Sequence, residues 1–351
     1  TLYIYHPLLF LKQNYALSSA FDIYEQDRLL YQRKAPHWKA PEPILYLKDL
    51  IYTLIWVTKY APKADLFVGS GNLNAFAGLI IKRLGIVKKV IYYCIDYVPN
   101  RFGNKLLNNL YHWVDKVCAE KCDSTWNLSG RMIKGRQKRW GKKFPHQQIV
   151  PHGSYTDKHT KSLISLNDFH RFEIVYMGTL LKKQGVQLVI KTFNRIIKKF
   201  PKARLLIIGS GEYKTNLEVL TRKLGLGKYV IFTGYLDDNE TKGKIAKAHI
   251  AVAPYNKKED IFTYYSDPGK AKYYLSLGIP LIITDVPLVA KEIAKEKCGL
   301  VIDYDEKEFE SAVGKFFSDL NFSIDYRRNA LKYAEKFSWE KLYKKALRDI
   351  Q

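Results

Sequence analysis

The stretch "YYSDPGKAKYYLSLGIPLIIT", Tyr264 to Thr284, sets a turn, a helix, a helix stop and an apolar strand directly one after another. Pro268 fixes its own φ and Gly269 permits a sharp bend, so Ser-Asp-Pro-Gly turns the chain and Lys270 begins a helix. Gly278 ends that helix and Pro280 blocks its continuation, which returns "LIIT" to a sheet. The free N–H groups of a helix start, beside the Ser266 hydroxyl and the Lys270 side chain, suit a diphosphate. Asp267 stands where it can accept hydrogen bonds from sugar hydroxyls.

Working outward, "FEIVYMG" (172–178), "ARLLIIGSG" (203–211), "KYVIFTGY" (228–235), "AHIAVAPY" (248–255), "IPLIIT" (279–284) and "CGLVIDY" (298–304) are short Val- and Ile-rich runs. Each reads as a strand buried on both faces, and amphipathic helical patterns separate them. Strict alternation means right-handed crossovers and a parallel sheet covered on both sides, a doubly wound domain. The first half repeats the theme with strands at "ADLFVGSG" (64–71), "KKVIYYCID" (88–96) and "QQIVPHG" (147–153), and with helices over 44–60, 74–85 and 106–122. The expected organisation is α/β: a Rossmann-like domain over 1–160, a second over 161–336, and a closing helix over 337–351 that crosses back to the first. A polar linker over 154–171 joins them, and ligands are expected in the cleft at the carboxyl ends of both sheets.

Composition narrows the partners. Among 351 residues, 58 Lys and Arg face 34 Asp and Glu, a formal excess of +24, which favours phosphate-bearing or otherwise anionic partners. The 26 tyrosines add an aromatic surplus suited to a membrane interface. No apolar run reaches the roughly 18 residues a spanning helix needs. The four cysteines, Cys94, Cys118, Cys122 and Cys298, read as free core thiols of a cytoplasmic protein, and no ligand set for a metal accompanies them. The run 131–143 carries seven basic residues, Arg131, Lys134, Arg136, Lys138, Arg139, Lys142 and Lys143, with Met132, Ile133 and Trp140 interleaved, and no acid. It reads as a solvated face or as a patch for the anionic inner surface of the cell membrane.

The order of motifs from Ala64 to Leu347 resembles the GT-B glycosyltransferases, particularly glycosyltransferase family 4 (glycosyl transferases group 1), as a divergent member. "VYMGTLLKKQGVQLVIKTF" resembles the family's strand, Gly-rich loop and helix that open the sugar-donor domain. "LLIIGSGEYKTNLEVL" resembles the next unit, and "VIFTGYLDDNE" the base-contacting strand and loop. "YYCIDYVPNR" is similar to the acceptor-side loop, "IVPHGSY" to the hinge, and "FSWEKLYKKAL" to the closing helix. The resemblance implies a GT-B fold, two Rossmann-like doubly wound domains facing each other across a cleft. It also implies a metal-independent hexosyltransferase that retains anomeric configuration. The sequence departs from the pattern at several places. The family's two glutamates fall on Tyr265 and Tyr273, its loop Arg on Thr179, its Lys on Gln184 and its acceptor-loop His on Ile95. The family's first strand and glycine loop are not visible before "YIYHPLLF".

The candidate site follows from these readings. Asp96, Asp267 and Lys270 are the expected catalytic groups. Gly178, Thr179, Lys183, Ser210, Gly211, Glu212, Tyr235, Tyr255, Ser266, Pro268 and Gly269 are expected to bind the nucleotide sugar, with Asn72, Tyr97 and Arg101 on the acceptor side. The expected activity is sugar transfer to an acceptor hydroxyl on a membrane-associated, lipid-linked or cell-surface glycan precursor, with the nucleotide sugar as substrate and no cofactor. His152, His6 and His112 read as structural. An inactive GT-B-like binding protein is the alternative, supported by the two missing glutamates. RNA binding is a second alternative on charge and tyrosines, although no RNA-recognition motif is visible and no nucleic-acid partner is expected.

Overall fold

The computed structural model describes residues 1–7, 18–154, 162, 165–259, 261–348 and 350, which form two compact units. One comprises Thr1–Asn127, Ile133–Ile149 and Ile350; the other Leu128–Met132 and most of the chain from Val150 onward. The expected boundary at 160/161 and half of the 154–171 linker lie outside the described residues, and the linker's last two residues open the first strand of the second unit.

The second unit is a parallel sheet of β8 (His170–Met177), β9 (Arg204–Ile208), β10 (Val230–Gly234), β11 (Ala248–Ala253), β12 (Leu281–Thr284) and β13 (Gly299–Ile302), in spatial order β10-β9-β8-β11-β12-β13. Every apolar run expected as a strand is one. Alternate residues feed opposite cores, so Ile174, Leu205, Ile207, Ile250 and Val252 pack on one face and Val175, Leu206, Ile208, Ala251 and Ala253 on the other. The strand order reverses between β8 and β11. In such sheets the loops leaving the carboxyl ends at the reversal diverge and open a crevice.

One buried group makes this unit acid-sensitive. His249, fully buried at the start of β11, accepts the Phe172 N–H at Nδ1 (3.2 Å), meets the Ser323 hydroxyl at Nε2 (2.9 Å) and stacks on Phe317. Burial, then the nearby Arg327 and Arg171, lower its pKa to about 3. The unfolded imidazole therefore binds a proton that the folded one refuses. Stability is full above about pH 6.5 and falls by up to about 1.4 kcal/mol per pH unit as pH drops toward 3. Melting temperatures between pH 7.5 and 5 should show this slope, and His249→Gln should reduce it by about one proton.

In the first unit, β4 (Ala64–Ser70), β5 (Val87–Cys94), β6 (Ser124–Asn127) and β7 (Gln147–Ile149) form a parallel sheet in sequential order. With it go α1 (Glu42–Tyr60), α2 (Asn72–Arg83), α3 (Lys105–Lys121) and, from Ile133, α4 (Gly130–Trp140). A separate antiparallel sheet, β1 (Leu2–Tyr5), β2 (Ala20–Glu25) and β3 (Arg28–Lys34), was not expected. Its β2–β3 turn runs through Gln26 and Asp27, both at positive φ (45° and 65°). That backbone matches the two-residue hairpin geometry that Asn-Gly usually signals. Tyr265 and Tyr273, at the family's glutamate positions, belong to the second unit, as do α8 (Gly269–Ser276) and α12 (Trp339–Arg348), once α5 (Val186–Lys199), α6 (Lys214–Lys223), α7 (Asp238–Lys247), α9 (Val289–Lys295), α10 (Glu306–Ser318) and α11 (Leu320–Ala334) are counted in chain order. Trp339, which opens α12, packs on Gly153 and His152.

Candidate functional site

Lys270 is the centre of the arrangement in the second unit. The turn after β11 delivers it in the first turn of α8, with Pro268 as N-cap, and its side chain reaches the loop that leaves β8. The ammonium donates to Gln184 Oε1 (2.7 Å) and to the Tyr176 hydroxyl (3.2 Å), and lies over the rings of Tyr176 (4.5 Å) and Tyr255 (5.3 Å). No carboxylate pairs with it among the described residues. Desolvation lowers its pKa to about 7. A cation kept from acids, at the crevice where the sheet order reverses, is suited to an anionic ligand.

Two glycines make the approach possible. A Cβ on Gly178 (φ +141°) would come within 2.9 Å of Lys270 Nζ, and one on Gly185 (φ +77°) within 1.7 Å of the Pro254 carbonyl oxygen. The β8 loop therefore lies directly on the β11 loop. Leu180 N–H donates to the Ser210 carbonyl and Gly209 N–H to that of Gly234, which stacks the β9 and β10 loops on the same edge. The expected Gly178, Thr179, Ser210, Gly211, Ser266, Pro268, Gly269 and Lys270 thus come together. Glu212 is exposed on the β9 loop, and Tyr235 projects from the end of β10 with 86% of its surface free. Lys183 lies over the Phe262 ring at 5.2 Å.

Two expected ligand contacts sit deeper than the sequence suggests. Asp267 is only 4% exposed; its carboxylate accepts the His152 backbone N–H (2.8 Å), and burial, opposed by Lys272 and His152, raises its pKa. It braces the start of α8 rather than facing solvent. Tyr255 is buried beneath the Lys270 ammonium, and its hydroxyl has no hydrogen-bond partner among the described residues. Sequence reasoning missed Tyr176 and Gln184, which hold the ammonium; Gln184 stands where the family has a lysine, and that substitution was the available signal. His152, read as structural, packs with its ring 3.5 Å from the position of a Cβ on Gly269. At the glutamate positions, the Tyr265 carbonyl accepts the Ser129 hydroxyl, and the Tyr273 hydroxyl donates to Asp238 (3.0 Å).

In the first unit, Asn72, Asp96 and Arg101 line one cavity of about 490 Å³ with Tyr46, Tyr111 and Leu110. Asn72 donates to the Tyr111 carbonyl (3.0 Å) and Arg101 reaches the Tyr46 hydroxyl (3.4 Å). His6, read as structural, stands in the wall, bonded to Thr53 (2.8 Å) and Ser19 (3.0 Å). Tyr97 is a correction: it is 2% exposed, packed against His112, and does not line the cavity.

The basic run needs correcting as well. Arg136 is fully buried and paired with Asp115, because the period of α4 puts Met132 and Arg136 on its inner face. Arg131 lies 3.9 Å over the Tyr264 ring and donates to the Tyr264 and Val286 carbonyls. Lys134, Lys138, Arg139, Lys142 and Lys143 remain exposed.

The family model described as glycosyl transferases group 1 matches residues 161–337. The chain belongs to that family. An uncharacterized glycosyltransferase of Methanocaldococcus jannaschii is 26% identical over 177 residues, 50% of this chain and 43% of the relative. Curated relatives are matched over 24% to 58% of their own length. Among solved structures, sucrose-phosphate synthase from Thermosynechococcus elongatus superposes with a TM-score of 0.66 at 18% identity, covering 90% of this chain and 79% of that one. The Anabaena protein HepE, solved with UDP, gives 0.68 at 12%, covering 86% and 82%. This group 1 chain has the GT-B fold, as the motif order implied. Among the described residues, no helix is long and apolar enough to cross a membrane, and no cluster of His, Cys, Asp and Glu could hold a metal ion.

Proposed function

We propose that this group 1 chain is a glycosyltransferase that moves a sugar from a nucleotide-sugar donor to an acceptor hydroxyl, with retention and without a metal or a separate cofactor. The observation that carries the reading is the Lys270 ammonium, with no carboxylate paired to it among the described residues, at the sheet edge where the strand order reverses between β8 and β11. As the bond from the anomeric carbon to the diphosphate breaks, the electron pair stays on the diphosphate, the acceptor oxygen bonds to the carbon, and the acceptor's hydroxyl proton passes to the departing diphosphate. On this reading Lys270 and the first N–H groups of α8 stabilise that charge. The exposed Tyr235 ring offers a stacking face for the base, and the cavity holding Asn72, Asp96 and Arg101 is assigned to the acceptor. HepE was solved with UDP, which makes uridine nucleotides the first to try.

The test is thermal stabilisation of the purified protein across UDP-, GDP-, ADP- and CMP-sugars, followed by assay of donor hydrolysis. One nucleotide class should raise the melting temperature by several degrees at saturating concentration. No shift with any class would sink the proposal. Because tyrosines stand at both glutamate positions, a second outcome has a specific basis: a shift without turnover would identify an inactive, sugar-nucleotide-binding relative.

A further inference from the structure

Two helices of the first unit bury charged and polar groups on one face and expose an aliphatic stripe on another. On α1, Lys48 and Asp49, the only charged residues between Glu42 and Lys59, are buried, whereas Ile44, Leu47, Ile51 and Ile55 are 38% to 54% exposed. On α3, Asn108, His112 and Asp115 face inward, whereas Leu106, Leu110 and Trp113 are 48% to 80% exposed. Both outward sets follow the helical period, 44/47/51/55 and 106/110/113, so each is a stripe and not a scatter of single residues.

The orientation is fixed by bonds that a rotation of either helix would break. Asp49 accepts the Ser19 hydroxyl (2.9 Å) and lies 3.3 Å from His6 Nδ1, both from outside the helix. Asn108 accepts the Arg101 N–H (2.8 Å), His112 Nε2 meets the Pro99 carbonyl (2.9 Å), and Asp115 holds Arg136 and Tyr92. With these polar groups held inward, beside Leu45, Trp56 and Val57 on α1, each helix leaves an aliphatic stripe outward. α2 packs between them, and its Phe76 meets Trp113 at 6.2 Å, so the apolar surface continues across the layer. The 490 Å³ cavity opens among these elements, lined by Pro43 and Tyr46 of α1 and by Leu107, Leu110 and Val114 of α3.

We propose that the outer face of α1, α2 and α3 docks on an anionic lipid bilayer, and that the cavity there receives the headgroup end of a lipid-borne acceptor. The second clause rests on the glycosyltransferase reading; the first does not. Charge selects a bilayer over a protein partner. Neither α1 nor α3 presents an exposed acid, while Lys59, Lys105 and Lys121 are exposed at the helix ends. Arg139 reaches Asn109 (3.1 Å), which lies between Leu106 and Trp113 on the outer side of α3. Aliphatic faces edged by Trp and by long cations bury their apolar part at the acyl boundary and keep the cations among the phosphates. This surface differs from the basic run alone, two of whose seven cations are committed inside the protein.

The test is flotation of the full chain with vesicles of phosphatidylcholine, with and without about one-third phosphatidylglycerol, for the wild type and for Leu47→Glu/Leu110→Glu. Each replaced leucine is a large fraction of the apolar anchor, so the double variant should partition roughly tenfold or more weakly onto anionic vesicles. The wild type should prefer anionic over neutral vesicles and lose that preference at high salt. An unchanged melting temperature and unchanged stabilisation by the nucleotide sugar show that the variant is folded. Wild type that stays with the dense fraction, or a double variant that floats like wild type, overturns docking by this face. Equal flotation on both vesicle types overturns its anionic selectivity, and a dimer that the double variant dissociates, without flotation, assigns the face to a second copy. Flotation as expected with no sugar transfer leaves the docking standing and removes only the acceptor clause.

Discussion

Lys270→Ala is expected to weaken nucleoside diphosphate binding by about a hundredfold, the scale of losing one well-desolvated charge contact. The variant should fold, because Lys270 makes no ion pair among the described residues and its two hydrogen-bond partners are Gln184 on the β8 loop and Tyr176 near the end of β8. A pH signature separates this role from a structural one. With its pKa lowered to about 7, the free protein holds Lys270 largely neutral at pH 8, whereas an anionic diphosphate favours the charged form. Binding above pH 7 must then take up a proton, and affinity should fall by up to tenfold per pH unit as pH rises from 7 toward 9. Calorimetry at pH 8 in two buffers of different ionisation enthalpy reads this as uptake approaching one proton, absent in Lys270→Ala. Affinity that is flat from pH 7 to 9 would remove Lys270 from the diphosphate site.

The helix start that presents Lys270 was legible because each of its signals is local: Pro268 fixes a dihedral, Gly269 permits a bend, and Gly278 with Pro280 ends the helix. The second sheet was legible for a similar reason. Strands buried on both faces cannot alternate, so Val and Ile runs such as 204–208 and 248–253 stand out from the helices between them. The first unit hid its equivalents. β3 is exposed along its whole length, and its hairpin turn uses Gln-Asp, which carries no glycine to advertise positive φ. β6, Ser124–Asn127, is wholly buried yet mostly polar, because Arg136 supplies Asn127 with a partner from another element. A single residue in the chain cannot announce a bond to a residue in a distant segment. The same limit explains the burial of Asp267 and Tyr255, which depends on His152 for the one and on Lys270 for the other, each distant from its partner in sequence.

Arg136→Ala is expected to cost the first unit about 3–5 kcal/mol, the largest stability effect of any single substitution considered. Its guanidinium meets Asp115 twice (2.8 and 2.9 Å), Asn127 (3.0 Å) and Gln147 (3.1 Å), and Asp115 also accepts the Tyr92 hydroxyl (2.7 Å). One side chain therefore ties α3 and α4 to β5, β6 and β7. Removing it leaves the Asp115 carboxylate buried with no cation, and the polar side chains of Asn127 and Gln147 short of a donor. Denaturant unfolding followed by tryptophan fluorescence, with nucleotide-sugar stabilisation as a separate report on the second unit, should show the midpoint of the first unit moving to lower denaturant and the nucleotide response kept. Lys or Met at this position distinguishes what the pair does. If Arg136→Met with Asp115→Leu recovers most of the loss, the network serves to hold five elements in one register rather than to add net stability, as an ion pair that has been paid for by desolvation would. If Arg136→Ala unfolds with an unchanged midpoint, the carboxylate is reached by water, and the inward orientation of α3, on which the exposed Leu106, Leu110 and Trp113 stripe depends, loses its cause.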